Sequence, residues 1–194
     1  MKSVCVFCGS TMGKNAIYKQ VAEELGVTFA KKQIRLVYGG AKVGLMGIIA
    51  DAVMKNKGKV VGIIPQFLIE KEVAHNRISE QIMVKTMHER KQRMADMSEG
   101  FIIMAGGLGT MDEFFEILAW AQLGLHKKPI GILNTNGFFD KLLEYIDFAI
   151  QEGFVKTQCR HELILIDTTI EGLLQKMGDY QPADVKKWIT KQQL

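Results

Sequence analysis

The run Phe101-Ile102-Ile103-Met104 is apolar throughout, and after Ala105 it breaks into Gly106-Gly107-Leu108-Gly109-Thr110-Met111-Asp112-Glu113, where a helical pattern opens. Glycines between a strand and a helix let backbone N–H groups converge on an anion at the helix N-terminus. Thr110 and Glu113 add a hydroxyl and a carboxylate beside that point. Thr110-x-x-Glu113 also fits a capping box, which needs no ligand. The box accounts for those two residues and leaves the glycines unexplained.

The same strand–turn–helix rhythm recurs along the chain. The pattern predicts strands at Val4–Cys8, Arg35–Tyr38, Val60–Ile64, Gln81–Lys85, Phe101–Met104, Ile130–Leu133 and Leu163–Ile166. Between them it predicts helices at Ala16–Lys32, Leu45–Lys57, Glu89–Met97, Met111–Leu123 and Phe138–Gln151, then Ile170–Met177 and Ala183–Lys191, with Pro65–Glu80 less regular. Short connections and strands that are apolar on both faces imply an α/β fold, Rossmann-like, with a mostly parallel sheet and helices on both faces. With 194 residues, 47% of them hydrophobic, one domain over residues 1–194 is expected. Ligands in such folds bind beyond the carboxyl ends of the strands, near the topological switch point. Three glycine-bearing loops follow strands, at Gly9–Gly13, Gly39–Gly47 and Gly106–Gly109, and all should lie on that edge.

Composition narrows the partners. A net charge of +4 with dispersed basic residues gives no reason to expect nucleic-acid binding. No stretch approaches the ~20 apolar residues of a membrane span, and no signal-peptide core follows Met1, so a cytoplasmic protein is expected, with no membrane partner. Cys5 and Cys8 are spaced C-x-x-C, but within a strand they point to opposite faces and read as buried thiols. Cys159 has no evident partner in the sequence.

Several chemistries fail on spacing. Gly9-Ser10-Thr11-Met12-Gly13-Lys14-Asn15 is one residue short of a P-loop and lacks its final hydroxyl residue. Gly39-Gly40-Ala41-Lys42-Val43-Gly44-Leu45-Met46-Gly47 contains no G-x-G-x-x-G. His88-Glu89-Arg90-Lys91-Gln92 lacks the second histidine of a zincin, the four histidines are scattered, and no G-x-S-x-G occurs, so no metal site is expected. Met87-His88-Glu89-Arg90-Lys91-Gln92-Arg93 instead opens a helix with three fixed cations, which a bound anion or partner carboxylates would offset. Arg90 shares a face with Arg93 and Met94. Glu113, placed at the third position of a helix, is the carboxylate best suited to support an oxocarbenium-like centre or to activate water. Asp112 and Glu116 add charge nearby, and Glu116 shares its side of the helix.

Taken together, Val4-Cys5-Val6-Phe7-Cys8-Gly9-Ser10, Leu36-Val37-Tyr38-Gly39-Gly40, Gly44-Leu45-Met46-Gly47, Met87-His88-Glu89-Arg90-Lys91, Ala105–Glu113, Trp120-Ala121-Gln122-Leu123-Gly124 and Glu152-Gly153-Phe154 resemble the LOG family, the cytokinin riboside 5′-monophosphate phosphoribohydrolases, often labelled lysine decarboxylases. The resemblance spans roughly residues 2 to 155. It implies a Rossmann-like homodimer that hydrolyses the N-glycosidic bond of a nucleoside 5′-monophosphate such as AMP or isopentenyl-AMP, without cofactor. It implies Arg90 and Glu113 as the catalytic pair, with Gly107, Gly109 and Thr110 on the phosphate. Ser10, Gly40, Met87, Arg90, Lys91, Gly106 and Glu113 would complete the substrate site. Ala105 stands where the family signature has proline, Asp112 where it commonly has glutamate, and Ala41 where it commonly has glycine. A non-catalytic nucleotide or cofactor carrier is the alternative, since fold does not fix function. A lysine decarboxylase would need pyridoxal phosphate on a dedicated lysine, and no lysine is marked for that role.

Overall fold

The computed structural model describes residues 1–69 and 74–182. Its strands are β1 (Ser3–Phe7), β2 (Arg35–Tyr38), β3 (Val60–Pro65), β4 (Glu80–Val84), β5 (Phe101–Ile103), β6 (Ile130–Leu133) and β7 (Ile164–Asp167). The helices are α1 (Ala16–Lys31), α2 (Gly44–Lys55), α3 (Gln66–Ile69), α4 (Met87–Asp96), α5 (Leu108–Gln122), α6 (Asp140–Gln151), α7 (Thr157–His161) and α8 (Ile170–Gly178), with a 3-10 turn at Thr135–Gly137. The seven strands form one sheet in the order β4-β3-β2-β1-β5-β6-β7. Every pairing is parallel.

Alternation along each strand divides the core. Cys5, Phe7, Val37, Ile63, Phe101 and Ile103 pack toward Met94 of α4, Phe114, Ile117 and Leu118 of α5, and Leu143 and Ile146 of α6. Val4, Val6, Cys8, Leu36, Tyr38 and Ile102 pack toward Leu25 and Phe29 of α1, Ile49 and Val53 of α2, and Leu173 of α8. Period-2 strands with both faces apolar require this two-sided cover. Cys5 and Cys8 therefore sit in opposite layers, both as free buried thiols. Burial first, and the Glu113 charge next, push both thiols well above their ordinary range, so neither is a ready nucleophile.

The chain winds outward from β1 through β2 and β3 to β4, then returns to place β5 on the other side of β1. The switch point thus lies between β1 and β5, and the loops after both strands meet there. Gly9 donates its N–H to the Ala105 carbonyl at 3.0 Å. Leu45, at the start of α2, donates to the Gly9 carbonyl at 3.0 Å and ties the loop after β2 to the same edge.

Several elements differ from their predicted limits by one or two residues, as frayed ends commonly do. The short helices α3 and α7 were not expected, and a helix predicted at Ala183–Lys191 lies outside the described residues. The instructive difference is at α5, which begins at Leu108 rather than Met111. Gly107 is its N-cap, in extended conformation, and no side chain caps this end. Thr110 is therefore the third helical residue and Glu113 the sixth, so the capping-box reading of that pair is corrected. A cap of that kind occurs instead at α4, where the Glu89 N–H donates to Thr86 Oγ1 at 3.1 Å. Glu89 Oε2 in turn accepts the Lys85 N–H at 2.8 Å.

Candidate active site

The site is built from four stretches of backbone at the carboxyl edge. Gly9 and Ser10 leave β1, Gly39–Gly44 leave β2, Ala105–Gly107 leave β5, and α4 brings Arg90 beneath them. Gly39 must be glycine because a Cβ there would collide with the Arg90 guanidinium. Gly44 has φ +57° and would press any Cβ into the backbone of Ser10 and Thr11. A Cβ at Gly106 would collide with Thr110 Oγ1, which places the buried Thr110 hydroxyl against that turn. Gly107 and Gly109 differ from these: a Cβ at either meets nothing within 4 Å. Both residues are exposed and stand at the start of α5, which no side chain caps.

Arg90 is buried, and backbone acceptors hold its guanidinium. Nε donates to the Ile63 carbonyl at 3.1 Å, and Nη2 to the Gly39 carbonyl at 3.3 Å. Nη1 lies 3.9 Å from Met87 Sδ. The same nitrogen lies 3.7 Å from Glu113 Oε1, within ion-pair range but longer than a hydrogen bond. Burial raises the Glu113 carboxyl most, Asp112 and Glu116 raise it further, and Arg90 and Lys91 pull it down; the balance is about 7. The sequence had suggested that a helix start would favour the ionised form. Glu113 instead lies in the second turn, where the macrodipole has faded and burial dominates.

Lys91 faces the neighbouring helix. Its Nζ lies 3.1 Å from Asp112 Oδ2 and 2.9 Å from Glu116 Oε1. Burial alone would lower its pKa, but the hydrogen bonds to Glu116 and Asp112 raise it above the ordinary value. Partner carboxylates thus offset two of the cations at the start of α4, Arg90 and Lys91. Adjacent residues of α4 contact adjacent turns of α5, Arg90 to Glu113 and Lys91 to Asp112 and Glu116. Ser10 and Met87 are exposed at the edge, and Gly40 is buried with φ +75°. Against the same turn, Thr11, Met12, Tyr18, Leu45, Gly107 and Phe138 line a cavity of about 170 Å³.

The structure brings Arg90, Met87, Gly39 and Glu113 together and ties Gly9 to Ala105 beside Gly106. It does not turn Lys91 toward an open space. Nothing in the sequence pointed to the Ile63 carbonyl, since a backbone acceptor carries no residue signature. The Lys91 partners left a fainter sign, two carboxylates at i,i+4 on Asp112 and Glu116. Among the described residues no group of three or more His, Cys, Asp or Glu is placed to hold a metal, and no helix is long and apolar enough to cross a membrane.

An all-parallel doubly wound sheet with glycine turns at its switch point makes this a Rossmann-like α/β protein. Residues 46–177 match the family described as possible lysine decarboxylase. The chain is 43% identical, over 98% of its length and 80% of the relative, to the probable cytokinin riboside 5′-monophosphate phosphoribohydrolase LOGL2 of Oryza sativa subsp. japonica. It is 42% identical, over 98% of its length and 92% of the relative, to the cytokinin riboside 5′-monophosphate phosphoribohydrolase LOG1 of Arabidopsis thaliana. The chain belongs to this family, the LOG proteins. Among solved structures, the molybdenum cofactor binding protein of Rippkaea orientalis superposes with a TM-score of 0.68 over 92% of this chain and 96% of that one, at 21% identity. The molybdenum cofactor carrier protein of Chlamydomonas reinhardtii gives 0.67 over 91% and 95%, at 18% identity. Those two likenesses share the fold, and at such identity nothing beyond it.

Proposed function

We propose that this protein hydrolyses the N-glycosidic bond of an adenosine 5′-monophosphate, plain or N6-modified, to free base and ribose 5-phosphate. The observation that carries this reading is the buried Arg90–Glu113 pair, 3.7 Å apart, one helical turn below the open glycine at 109. The names of the relatives identify the same reaction class.

In this reading the phosphate takes the amides of Gly107, Gly109 and Thr110, where no side chain competes for them and no Cβ fills the space. Ser10, Gly40, Met87 and Gly106 bound the nucleotide. As the base leaves, positive charge grows at C1′ and on the ring oxygen. Ionised Glu113 supports that charge, or takes a proton from the water whose oxygen bonds C1′ as the C1′–N bond breaks, and one proton from that water ends, through solvent, on the departing base. A carboxyl titrating near 7 suits both tasks, because it is ionised in a useful fraction of molecules yet basic enough to accept a proton. Arg90, fixed by two carbonyls, orients the carboxylate and keeps it from being fully neutral. Lys91 acts from behind, balancing Asp112 and Glu116, rather than as a direct ligand. No step draws on a cofactor.

A homodimer fits the surface. Leu108, Met111 and Phe115 form an i, i+3, i+7 stripe on α5, and Leu108 and Phe115 are exposed. Such a stripe beside the substrate turn suits cover by a second copy. Light scattering of the wild type and of Leu108→Glu tests it; a monomeric wild type would remove the dimer from the reading.

The test of function is direct. Purified protein is incubated with AMP and with isopentenyladenosine monophosphate, and the products are separated by chromatography. Free base plus ribose 5-phosphate, absent with Glu113→Gln, is the expected result. Tight nucleotide binding without product from either compound would favour a carrier.

A further inference from the structure

We infer that His75 and Asp51 form a clamp that positions Gly39–Gly40, and through them the Arg90 guanidinium, for the reaction proposed above. His75 is one of four histidines that the sequence left without a role, yet it is among the few buried polar residues, at 3% exposure. Its backbone N–H donates to the Gly40 carbonyl at 2.9 Å. Ala74 beside it forms an antiparallel bridge with Ala41, so the segment grips the loop after β2 at two points. Gln81 Nε2 reaches the same Gly40 carbonyl at 3.5 Å.

The imidazole fixes that grip from the other side. Nδ1 accepts the Arg77 N–H at 3.2 Å, which makes Nε2 the protonated nitrogen, assigned from its bonding. Nε2 then faces Asp51 Oδ1 at 3.2 Å. Asp51 belongs to α2, whose first turn is already tied to Gly9. The carboxylate on α2 therefore sets the imidazole, the imidazole sets the backbone at residue 75, and that backbone sets Gly40. The next carbonyl along, that of Gly39, accepts Arg90 Nη2, and no Cβ at Gly39 could fit beside it. Gly40 itself stands at φ +75° with Ile63 and Ile64 close beneath, so the loop has little room to compensate if its anchor is lost. A carbonyl displaced by about 1 Å would aim Arg90 differently at Glu113, an error of the size that costs catalysis heavily.

Asp51 is more than half exposed, so Asp51→Ala should fold even where the buried His75→Ala does not. The experiment measures kcat and KM for Asp51→Ala, Asp51→Asn and His75→Ala. In parallel, hydrogen exchange at the Arg90 Nε–H is followed by ¹⁵N NMR in protein without substrate. The expected result is a fall in kcat of roughly tenfold for Asp51→Ala with KM little changed, and faster exchange at Arg90 Nε. Asparagine at 51 still accepts from Nε2 and should restore most of both. In an Arg90→Lys background the Asp51→Ala effect should largely vanish, because both changes act through one group. Wild-type kcat and wild-type Arg90 exchange in Asp51→Ala and His75→Ala would overturn the clamp. So would an unchanged fold-loss in the Arg90→Lys background. If the wild type hydrolyses no nucleotide, the reaction assigned above falls, and the Arg90 exchange still decides the clamp.

Discussion

Arg90 Nη1 and Glu113 Oε1 stand 3.7 Å apart with side chains only 10% and 13% exposed. Two buried charges at that distance are strongly coupled, yet the carboxyl is not pulled into the acid range. It rests near 7, because burial and two neighbouring carboxylates oppose the arginine. Near neutral pH the pair thus passes between a neutral and an ionised glutamate.

Stability and activity should consequently respond to pH in opposite directions. The folded protein holds the Glu113 proton up to about 7, whereas the unfolded chain releases it near 4.5. Between those values the folded state carries the extra proton, so this group's contribution to stability falls as pH rises. The rise from 4.5 to about 7 corresponds to roughly 3 kcal/mol, fully felt above pH 7. Glu113→Gln removes the ionisation. It should melt higher than the wild type at pH 8, and the two should converge toward pH 5. Wild-type kcat/KM should instead climb through pH 7 as the carboxylate forms. Calorimetry at both pH values and a pH–rate profile check the two halves.

Arg90→Lys keeps the charge and loses the geometry. Lysine has no nitrogen where Nε meets the Ile63 carbonyl, and one ammonium cannot span Ile63, Gly39 and Glu113 as the guanidinium does. At least one buried carbonyl is left unpaired, at about 1–3 kcal/mol. The expected outcome is a lower melting temperature and a fall in kcat of roughly a hundredfold, with the carboxyl titrating higher. Thermal unfolding and steady-state kinetics with AMP decide it.

The fold was largely legible, and for a simple reason. Apolar runs such as Phe101–Met104 and Ile130–Leu133, each buried on both sides, can only be interior strands, and the helices between them force parallel pairing. The glycine turns lie together at the carboxyl edge of the sheet, as their positions after parallel strands required. What the sequence did not yield was anything depending on exact helix start or on backbone acceptors. Thr110 and Glu113 match a capping box in spacing, but Gly107 starts the helix in extended backbone and moves both residues inward. The acidity of Glu113 was misjudged for the same reason, since burial in the second turn outweighs a dipole at the first. The pairing of Lys91 was only faintly legible, because Asp112 and Glu116 lie 21 and 25 positions away, on a different helix. His75 offered no pattern, because its partners are a backbone carbonyl at 40 and a carboxylate at 51.

Lys91→Met should report how far charge at a distance tunes the pair. Without the ammonium, Asp112 and Glu116 lose a partner at 3.1 and 2.9 Å, and their field on Glu113 is no longer balanced. Both changes raise the Glu113 carboxyl, by about one pH unit. The acid limb of the pH–rate profile should move upward by that amount, with rates recovering at high pH. Lys91→Arg should hold the limb near its original place. A profile unmoved by Lys91→Met, with a tenfold rise in KM, would instead make Lys91 a substrate ligand.

Gly107 and Gly109, where an added methyl meets nothing within 4 Å, allow the proposed phosphate site to be tested apart from packing. At Gly39 an added methyl collides with Arg90, so Gly39→Ala should cost both stability and activity. At Gly109 the same methyl meets nothing and replaces a glycine inside the first turn of α5. On helix propensity alone Gly109→Ala should stabilise the protein by about 0.5–1 kcal/mol. At Gly107, in extended N-cap conformation, alanine is sterically allowed and stability should change little. If phosphate approaches these amides, both substitutions nonetheless place a methyl where its oxygens must sit. KM for the nucleotide should then rise by an order of magnitude while the melting temperature stays level or increases. A stabilised Gly109→Ala enzyme with unaltered KM would move the phosphate away from this turn. The paired measurement works because folding and binding ask opposite things of the same carbon atom.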